Sequence, residues 1–469
     1  MKFVIDEGIS HNDIQTMTQV FFPLTGFDVV EKIPEEGHCL VVKHYNDGFL
    51  ARIFVDTITI NTTKTQNSHH HAAWAVFDAL SDYTGYHPPW GVLTGIRPAK
   101  LITSMLDKGI SKNEAINRMT KHYLVCHPKA ELCANVALAQ QKIMQTSKSD
   151  AISIYINIPF CPTKCHYCSF AAYPISKFGN RIPAYMDALC KEIKHLGKIS
   201  RNKYIENIYI GGGTPTALSV TDFGRLLACI DENFNTKSSA EYTVEAGRPD
   251  TICIEKLNLM RKHGVNRISI NPQTLHDTTL QKIGRKHTAN DFFDKYKLAQ
   301  QFGFTHINID LILGLEGETV DHVHQTLEGI GTLDPNSITV HALAIKRASK
   351  LWEDSAMQMT SIQTMEKMLA ATSNFMQKNN LIPYYLYRQK NSLGNFENVG
   401  YSKADFEGRY NIHMMEETRS VYAAGCGAVT KIVDLQSNKI DRIFNIKDLD
   451  QYIKGVNEMI AKKAVLEYV

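Results

Sequence analysis

Between residues 149 and 343, short runs rich in β-branched residues alternate with helical stretches, and this alternation limits the fold more than any other feature of the sequence. The spacing leaves room for one helix between each run and the next, in the order IYINIP, NIYIGG, EYTVEA, RISINPQ, HINIDLI and SITVHAL. Repetition of strand and helix indicates parallel strands joined by right-handed crossovers. We therefore predict an α/β fold, a partial (β/α)6 barrel. In such barrels the chemistry gathers at the carboxyl ends of the strands.

The segments on either side of this barrel have different patterns. Residues 1–148 mix the strand-like runs CLVVKHY and FLARIFVDTITI with the helical stretches HAAWAVFDALSDYTG and ELCANVALAQQKIMQ, and TSKSDA reads as a linker. Residues 344–469 combine the helix SIQTMEKMLAATSNFMQKNN with an aromatic stretch and the glycine-rich turn AAGCGAVTK. A chain of 469 residues is too long for one ordinary core. We predict three domains: an N-terminal α+β domain (1–148), the barrel (149–343) and a mixed C-terminal region that covers the substrate (344–469).

Composition and charge exclude several classes of protein. Hydrophobic residues make up 43% of the chain and charged residues 21%, and the formal net charge of +3 is too small to indicate nucleic acid or an anionic membrane as a partner. No apolar run has the length of a membrane span, and MKFVIDEGISHND lacks the apolar stretch of a signal peptide. We therefore predict a cytoplasmic protein with reduced thiols. Seven scattered cysteines are interpreted as small buried hydrophobic residues: Cys39, Cys126, Cys133, Cys190, Cys229, Cys253 and Cys426.

The other three cysteines form a CxxxCxxC motif directly after the first barrel run: Cys161, Cys165 and Cys168. Three thiolates can hold three irons of a 4Fe–4S cube and leave the fourth iron open. S-adenosylmethionine (SAM) can chelate that open iron, and one electron from the cluster then cleaves the sulfonium C–S bond to give a deoxyadenosyl radical. A structural zinc site would usually need a fourth ligand, often from a second CxxC pair, and no second pair follows.

Polar and glycine residues stand at the ends of the later runs. The second run ends in Gly211–Gly213, whose bare N–H groups suit a carboxylate or amino-acid moiety, although a tight turn before a helix would use the same residues. Glu245 and Gln273 end the third and fourth runs, Asp310 lies in the fifth, and Arg285 follows Gln273. Because the carboxyl ends of parallel strands converge in a barrel, these side chains form a candidate binding site.

Taken together, these motifs resemble those of the oxygen-independent coproporphyrinogen III oxidase family of radical SAM proteins. The matching motifs are YxxIPFCxxxCxYC, GGGTPT, GRxHT and INIDLILGL, and the Glu and Gln strand ends match as well. LTGIRPAKL, INPQTL and YYLYRQKNSLGNFENVGY resemble its HemZ-type branch, the coproporphyrinogen dehydrogenases. The resemblance then covers nearly the whole chain.

The resemblance implies two cofactors, a 4Fe–4S cluster and SAM, and a residue set for each. Cys161, Cys165 and Cys168 would ligate the cluster. Tyr167 would contact the adenine through its backbone. The residues that would contact SAM are Tyr155, Tyr167, Gly212, Gly213, Thr214, Glu245, Gln273, Arg285, Asp310 and Ala342.

The activity that the resemblance implies is the oxidative decarboxylation of coproporphyrinogen III to protoporphyrinogen IX in haem biosynthesis. This reaction needs a tetrapyrrole substrate, a flavodoxin- or ferredoxin-type electron donor and an electron acceptor. Basic residues would bind the substrate carboxylates, and the candidates are Arg248, Lys346, Arg347, Arg388 and Lys390.

The sequence departs from the family pattern at three places. Phe170 stands where the oxidases carry a further cysteine, Asn157 stands where they commonly carry histidine, and NFENVGYSK stands where related haem chaperones carry HNxxYW. Phe170 in place of the cysteine leaves a haem chaperone as an alternative, which would retain the cluster and use His341 or His413 as axial ligand, although the missing HNxxYW motif speaks against it. A haem-degrading radical SAM methyltransferase is another.

Overall fold

The computed structural model describes residues 1–22, 26–46, 48–64, 72–95, 97–148, 150–344, 349, 360–389, 395–435, 437 and 439–468. The chain forms two compact units, and the smaller comprises Met1–Ala137 with Leu386–Glu397. The larger comprises Leu138–Tyr385 with Asn398–Val469. These units do not coincide with the three predicted domains, whose boundaries stay a prediction. Among the described helices, none is both long and apolar enough to cross a membrane.

The smaller unit is built on a sheet with the strand order β2-β1-β3-β4-β5. Alternation along β3 directs Leu40 and Val42 to one face, where they pack with Ile14 of α1 and Val76 of α2 in a buried core. The elements of this part of the chain are β1 (Lys2–Ile5), α1 (His11–Phe21), β2 (Asp28–Val29), β3 (His38–Tyr45), β4 (Gly48–Val55), β5 (Ile58–Lys64), α2 (Ala72–Thr84), α3 (Ala99–Asp107), α4 (Lys112–Tyr123) and α5 (His127–Thr146), which extends past Ala137.

The run FLARIFVDTITI is two strands rather than one. β4 ends at Val55 and β5 begins at Ile58, and the two strands pair antiparallel. The residues between them, Asp56 and Thr57, have φ angles of +48° and +70°. This left-handed backbone reverses the chain, and the β-branched Thr57 gives no sequence signal for it because such residues rarely adopt it.

The larger unit contains the predicted barrel. Its elements are β6 (Ala151–Ile158), β7 (Phe160–Cys161), β8 (Tyr173–Pro174), α6 (Ile175–Phe178), α7 (Ile182–Ile199), β9 (Tyr204–Gly212), α8 (Val220–Asn233), β10 (Glu241–Glu245), α9 (Ile254–Lys262), β11 (Arg267–Ser269), α10 (Asp277–Lys282), α11 (Ala289–Gln301), β12 (His306–Leu313), α12 (Val320–Gly331), β13 (Ser337–Ala342), α13 (Ile362–Lys378), β14 (Ile382–Arg388), β15 (Glu397–Ser402), α14 (Arg409–Glu416), β16 (Val421–Ala424), β17 (Val429–Asp434), β18 (Lys439–Phe444) and α15 (Leu449–Lys462).

The six predicted runs form six neighbouring parallel strands in one open sheet. The strand order is β14-β15-β13-β12-β11-β10-β9-β6-β16-β17-β18, so the barrel strands lie side by side in sequence order. Each pair from β6 to β13 is parallel, and the connections carry α7 to α12. The prediction of an α/β partial (β/α)6 barrel is confirmed.

A seventh parallel strand, which the sequence did not indicate, extends this sheet. β16 pairs parallel with β6, with Val421 opposite Ser153 and Ala424 opposite Ile156. The two strands therefore end at the same edge, and the turn Gly425–Gly427 follows β16 there. The Asn157 side chain donates its Nδ2–H to the Cys426 carbonyl at 2.6 Å, which ties this turn to the end of β6.

A buried ionic network fixes the C-terminal helix to the barrel. Glu192 of α7 is fully buried and accepts hydrogen bonds from Lys463, Asn445 and Tyr452, and from the Gly425 N–H at 2.8 Å. Burying a carboxylate is costly unless its oxygens are paired and hydrogen-bonded, and here both oxygens are. The network thus holds the Gly425–Gly427 turn in place.

Candidate functional site

The three motif cysteines lie in the loop that follows β6, and each sulfur accepts one hydrogen bond. The Thr214 hydroxyl donates to Cys161 Sγ at 3.5 Å. The Arg248 guanidinium donates to Cys165 Sγ at 3.6 Å, and the backbone N–H of Phe170 donates to the Cys168 sulfur. Donors aimed at sulfur suit thiolates, since a hydrogen bond stabilises their negative charge.

The electrostatics of this loop fit an iron cluster. Burial raises the pKa of Cys161 to about 11, so its thiolate needs a nearby positive charge, which iron supplies. In the described part of the chain no three His, Cys, Asp or Glu side chains converge on a point where they could hold one metal ion. A 4Fe–4S cube does not require such convergence, because each thiolate binds a different iron.

A second segment, Ile283–Arg285, braces the cysteine loop. The His166 N–H donates to the Ile283 carbonyl at 3.0 Å, and the Thr163 hydroxyl donates to the Gly284 carbonyl at 3.2 Å. Arg285 is buried and donates to the Tyr167 hydroxyl at 2.8 Å. Its other terminal nitrogen donates to the carbonyls of Gly247 and Asn271. Arg285 therefore links the cysteine loop to the carboxyl ends of β10 and β11.

The glycine loop after β9 is closely packed against the end of β6. Gly212 has a φ angle of +106°, and a Cβ atom there would lie 2.0 Å from Asn157 Oδ1. A Cβ on Gly213 would lie 2.6 Å from the Phe160 carbonyl oxygen. Only glycine fits at these two positions. The glycines predicted to let a ligand approach the backbone are therefore also required by the packing of this loop against the end of β6.

Glu245, at the end of β10, points at this glycine loop. Its Oε1 accepts the Tyr209 hydroxyl at 2.6 Å, and its Oε2 accepts the Gly212 N–H at 3.2 Å. Burial raises the pKa of Glu245 and Asp310 adds to the rise, while the two hydrogen bonds oppose it, and the resulting pKa is about 7. The ionised carboxylate can therefore accept N–H hydrogen bonds from the amino group of a ligand, which would stabilise its negative charge.

Three tyrosines stack beside Glu245. The rings of Tyr209 and Tyr410 lie 4.3 Å apart, and Tyr155 lies about equally far from both, at 6.2 and 6.3 Å. The Tyr155 hydroxyl donates to Asn157 Oδ1 at 3.0 Å. Tyr209 and Tyr410 were not predicted from the sequence. Alternation along β9 places Tyr209 on the face of Gly211, and that signal was available.

Asp310 occupies the wall of the barrel formed by β11 and β12. Its carboxylate accepts the side-chain N–H groups of Asn271 and Asn308, each at 2.7 Å, and His341 Nε2 lies 4.0 Å away. Gln273 has a φ angle of +71°, and its backbone bonds to Asp310 and Ile312 of β12. Such a backbone conformation in a non-glycine residue is costly and is often found at functional sites.

The remaining predicted SAM residues also lie near strand ends. Ala342, the last residue of β13, is buried and donates its N–H to Asn398 Oδ1 at 3.1 Å. Tyr167 packs against a small apolar cluster of buried residues that includes Ile312 and Leu343. The structure therefore places most of the predicted residues on the loops and carboxyl ends of the barrel strands, while Tyr155 and Asp310 lie inside β6 and β12.

For two of the basic residues, the predicted role of binding substrate carboxylates is wrong. Arg248 is 3% exposed and donates to both carboxylate oxygens of Asp250, besides its bond to Cys165. Arg388 is 2% exposed in the smaller unit, where it donates to the carbonyls of Leu93 and Asn395. Most of their donors already serve the protein itself, and among the described residues the remaining terminal nitrogen of Arg388, Nη2, is buried without a hydrogen-bond partner. The other three candidates, Lys346, Arg347 and Lys390, lie outside the described residues.

The two candidate haem ligands differ in their surroundings. His413 is buried, and its ring nitrogens contact the Thr418 and Ser147 hydroxyls at 2.8 and 3.1 Å, with Glu206 at 3.5 Å. Neither nitrogen is available to an iron. His341 is about one quarter exposed and lies beside Asp310.

The fold and the cysteine loop define a class. The chain matches the Radical SAM superfamily over residues 155–330, the part that contains the cysteine loop, the glycine loop, Glu245 and Asp310. It is a radical SAM protein, and its cofactors are a 4Fe–4S cluster and SAM. The solved structure of coproporphyrinogen III oxidase from Escherichia coli, a radical SAM enzyme, shares the fold, with a TM-score of 0.54 and 23% identity over 68% of this chain and 72% of that chain.

Sequence relatives define the family more narrowly. The oxygen-independent coproporphyrinogen-III oxidase-like protein HemZ of Bacillus subtilis is 39% identical over 81% of this chain and 77% of that protein. The chain belongs to this coproporphyrinogen oxidase-like family of radical SAM proteins. The heme chaperone HemW of B. subtilis is 36% identical over 41% of this chain and 51% of that protein. The oxygen-independent coproporphyrinogen III oxidase of E. coli is 26% identical over 66% of each chain.

Proposed function

We propose that this chain catalyses the oxidative decarboxylation of coproporphyrinogen III to protoporphyrinogen IX in haem biosynthesis. The observation that carries the proposal is that one barrel has both a loop of three cysteine thiols that accept hydrogen bonds and a Glu245 carboxylate that faces the glycine loop. The cysteine loop suits a cluster and the Glu245 site suits SAM. The relatives named coproporphyrinogen oxidases supply the substrate class.

The residues of the chain then have the following roles. Cys161, Cys165 and Cys168 would hold the cluster, and the cluster with SAM would supply the radical chemistry that removes a hydrogen atom from a propionate β-carbon. Glu245, as the carboxylate, would accept N–H hydrogen bonds from the amino group of SAM.

The other residues proposed to contact SAM provide position rather than charge. Gly212 and Gly213 let the methionine end of SAM approach the backbone. Thr214 is held in position by its hydrogen bond to Cys161. Tyr167 is fixed by Arg285 on one side and by apolar packing on the other. The remaining contacts come from Tyr155, Gln273, Asp310 and Ala342.

The electrons and the substrate charges must also be accounted for. Each of the two propionates that react would lose one hydrogen atom to the radical, then CO2 and one electron, so the reaction needs a one-electron donor for the cluster and a separate acceptor. Lys282 and Lys286 are exposed and flank the segment that braces the cysteine loop. They suit an acidic flavodoxin- or ferredoxin-type donor. Lys346 and Arg347, which follow β13 in the sequence, stand as candidate partners of the substrate carboxylates.

A haem chaperone is the second candidate, because a HemW protein is 36% identical to part of this chain. The buried contacts of His413 argue against this histidine as an axial ligand. His341 is the histidine that a chaperone would use.

The two candidates are separated by one anaerobic experiment. Reconstituted protein is incubated with coproporphyrinogen III, SAM, a reductant and an electron acceptor, and the products are read by mass spectrometry. We expect vinyl products that are absent from Cys165→Ala protein. A parallel titration with haem should show no tight one-to-one complex. Tight haem binding that is lost in His341→Ala, without vinyl products, would replace the enzyme by the chaperone.

A further inference from the structure

Two cysteines outside the cluster loop lie against each other on neighbouring helices. Cys190 belongs to α7 and Cys229 to α8, and these helices pack side by side. Cys229 Sγ lies 3.9 Å from the Cys190 carbonyl oxygen, and the two thiols are also hydrogen-bonded to each other. Both residues are partly exposed, so small molecules can reach them. They were interpreted from the sequence as isolated small hydrophobic residues, and the structure instead shows a pair.

The charges around this pair make the two thiols unequal. Arg225, four residues before Cys229, donates to Asp187 of α7 at 2.5 Å, so a guanidinium lies beside the pair. The hydrogen bond from Cys229 lowers the pKa of Cys190, and Arg225 lowers it further. The same bond raises the pKa of Cys229. The pKa of Cys190 is thus the lower of the two, which makes Cys190 the better attacking thiol in thiol–disulfide exchange.

We propose that Cys190 and Cys229 form a reversible disulfide that links α7 to α8, by exchange with a small-molecule disulfide. The Cys190 thiolate attacks one sulfur of the small disulfide, and the other sulfur leaves as a thiolate that takes up a proton. Cys229 then loses its proton and attacks the Cys190 sulfur, which releases the second small thiol. One small disulfide is reduced to two thiols, and the protein dithiol is oxidised to one disulfide.

The proposed disulfide lies between the two helices that follow the cofactor loops. α7 follows the cysteine loop and α8 follows the glycine loop, so the bond joins the two helices that lead away from both cofactor loops. None of its atoms belongs to the cluster, whose sulfurs have their own donors in Thr214, Arg248 and Phe170. Oxidation of the pair is therefore separable from loss of iron.

The test uses the full chain with its cluster reconstituted, kept anaerobic and titrated with oxidised glutathione. Remaining free thiols are alkylated, and the protein is digested and analysed by mass spectrometry. We expect a Cys190–Cys229 cross-linked peptide, unchanged iron content, and recovery of both alkylated cysteines after treatment with dithiothreitol.

The control variants locate the bond. The cross-link should be absent from Cys190→Ser and Cys229→Ser proteins, and should be unchanged in Cys253→Ser, which alters another partly exposed cysteine. Two outcomes would overturn the proposal: separate glutathione adducts on both cysteines without a cross-link, or both cysteines recovered as free thiols at a large excess of oxidised glutathione.

Discussion

The substitution Tyr209→Phe tests whether Glu245 must be ionised to bind SAM. The Tyr209 hydroxyl donates to Glu245 at 2.6 Å, and this is one of two hydrogen bonds that oppose the effect of burial and leave the pKa of Glu245 at about 7. A hydrogen bond to a charged group contributes about 1.5–3 kcal/mol. Since one pKa unit corresponds to about 1.4 kcal/mol, we expect the pKa of Glu245 to rise by about one to two units in the variant.

The sign of the pH effect follows from the N–H groups that SAM presents. The SAM amino group donates N–H hydrogen bonds and so favours the ionised Glu245 carboxylate, which means that SAM affinity is lost as the pH falls through the pKa of Glu245 in the free protein. The wild-type chain should therefore lose affinity below about pH 7. With a pKa one to two units higher, Tyr209→Phe should bind SAM about 5- to 50-fold more weakly at pH 7, and at pH 9 the difference should shrink to about twofold or less.

The assay is equilibrium binding of SAM to cluster-reconstituted protein between pH 6 and 9 under anaerobic conditions. Other charged or titratable groups that act on Glu245 or on its hydrogen-bond partner are Asp310, Tyr155 and Tyr410. Tyr410→Phe is the matched control, because Tyr410 stacks on Tyr209 and, among the described residues, makes no hydrogen bond to Glu245. In Tyr410→Phe, SAM affinity should fall at nearly the same low pH as in the wild type. Superimposed profiles for Tyr209→Phe and wild type would refute the reasoning.

Further predictions concern the cluster, the glycine loop and the smaller unit. Cys165→Ala should lose the cluster, read as a fall from about four irons per chain, while Cys253→Ala keeps it; a full cluster in Cys165→Ala would reject the ligand set. Gly212→Ala places a Cβ 2.0 Å from Asn157 Oδ1, so SAM binding should be lost with iron content retained, and unchanged SAM affinity would contradict this. Arg388→Ala leaves two buried carbonyls without their donor, which should lower the free energy of unfolding by about 3 kcal/mol in a urea titration; an unchanged midpoint would show that the buried contacts contribute nothing.

The barrel was predictable because its signal is local and repeated. Each of the six runs carries its own strand composition, and the helix-length spacing between them determines parallel order. β16 has no such signal, since it is only four residues long and follows an irregular segment. Its pairing with β6 depends on contacts made at the far end of the chain, including the buried Glu192 network. Pairing between segments so distant in sequence leaves no periodic trace.

The candidate site was predictable where residue types are unusual and close together, as in the cysteine and glycine loops. The basic residues were not, because an arginine on the surface and a buried arginine look alike in a sequence. Arg388 is distinguished only by carbonyl groups that Leu93 and Asn395 supply. Arg248 is distinguished by Asp250, two residues away, and by a cysteine sulfur far away in the chain. Only the folded structure shows that both side chains are buried and bonded to groups of the protein itself.

The substitution at Phe170 has a limited effect on the cluster environment for a geometric reason. Hydrogen bonds to the sulfurs help to set the reduction potential of an iron–sulfur cluster. Here they come from a hydroxyl, a guanidinium and the Phe170 backbone N–H. Any residue except proline can supply that N–H, so phenylalanine in place of cysteine leaves the donor set intact. What changes is the Phe170 side chain, which is 67% exposed and therefore alters the surface beside the cysteine loop rather than the bonds to its sulfurs.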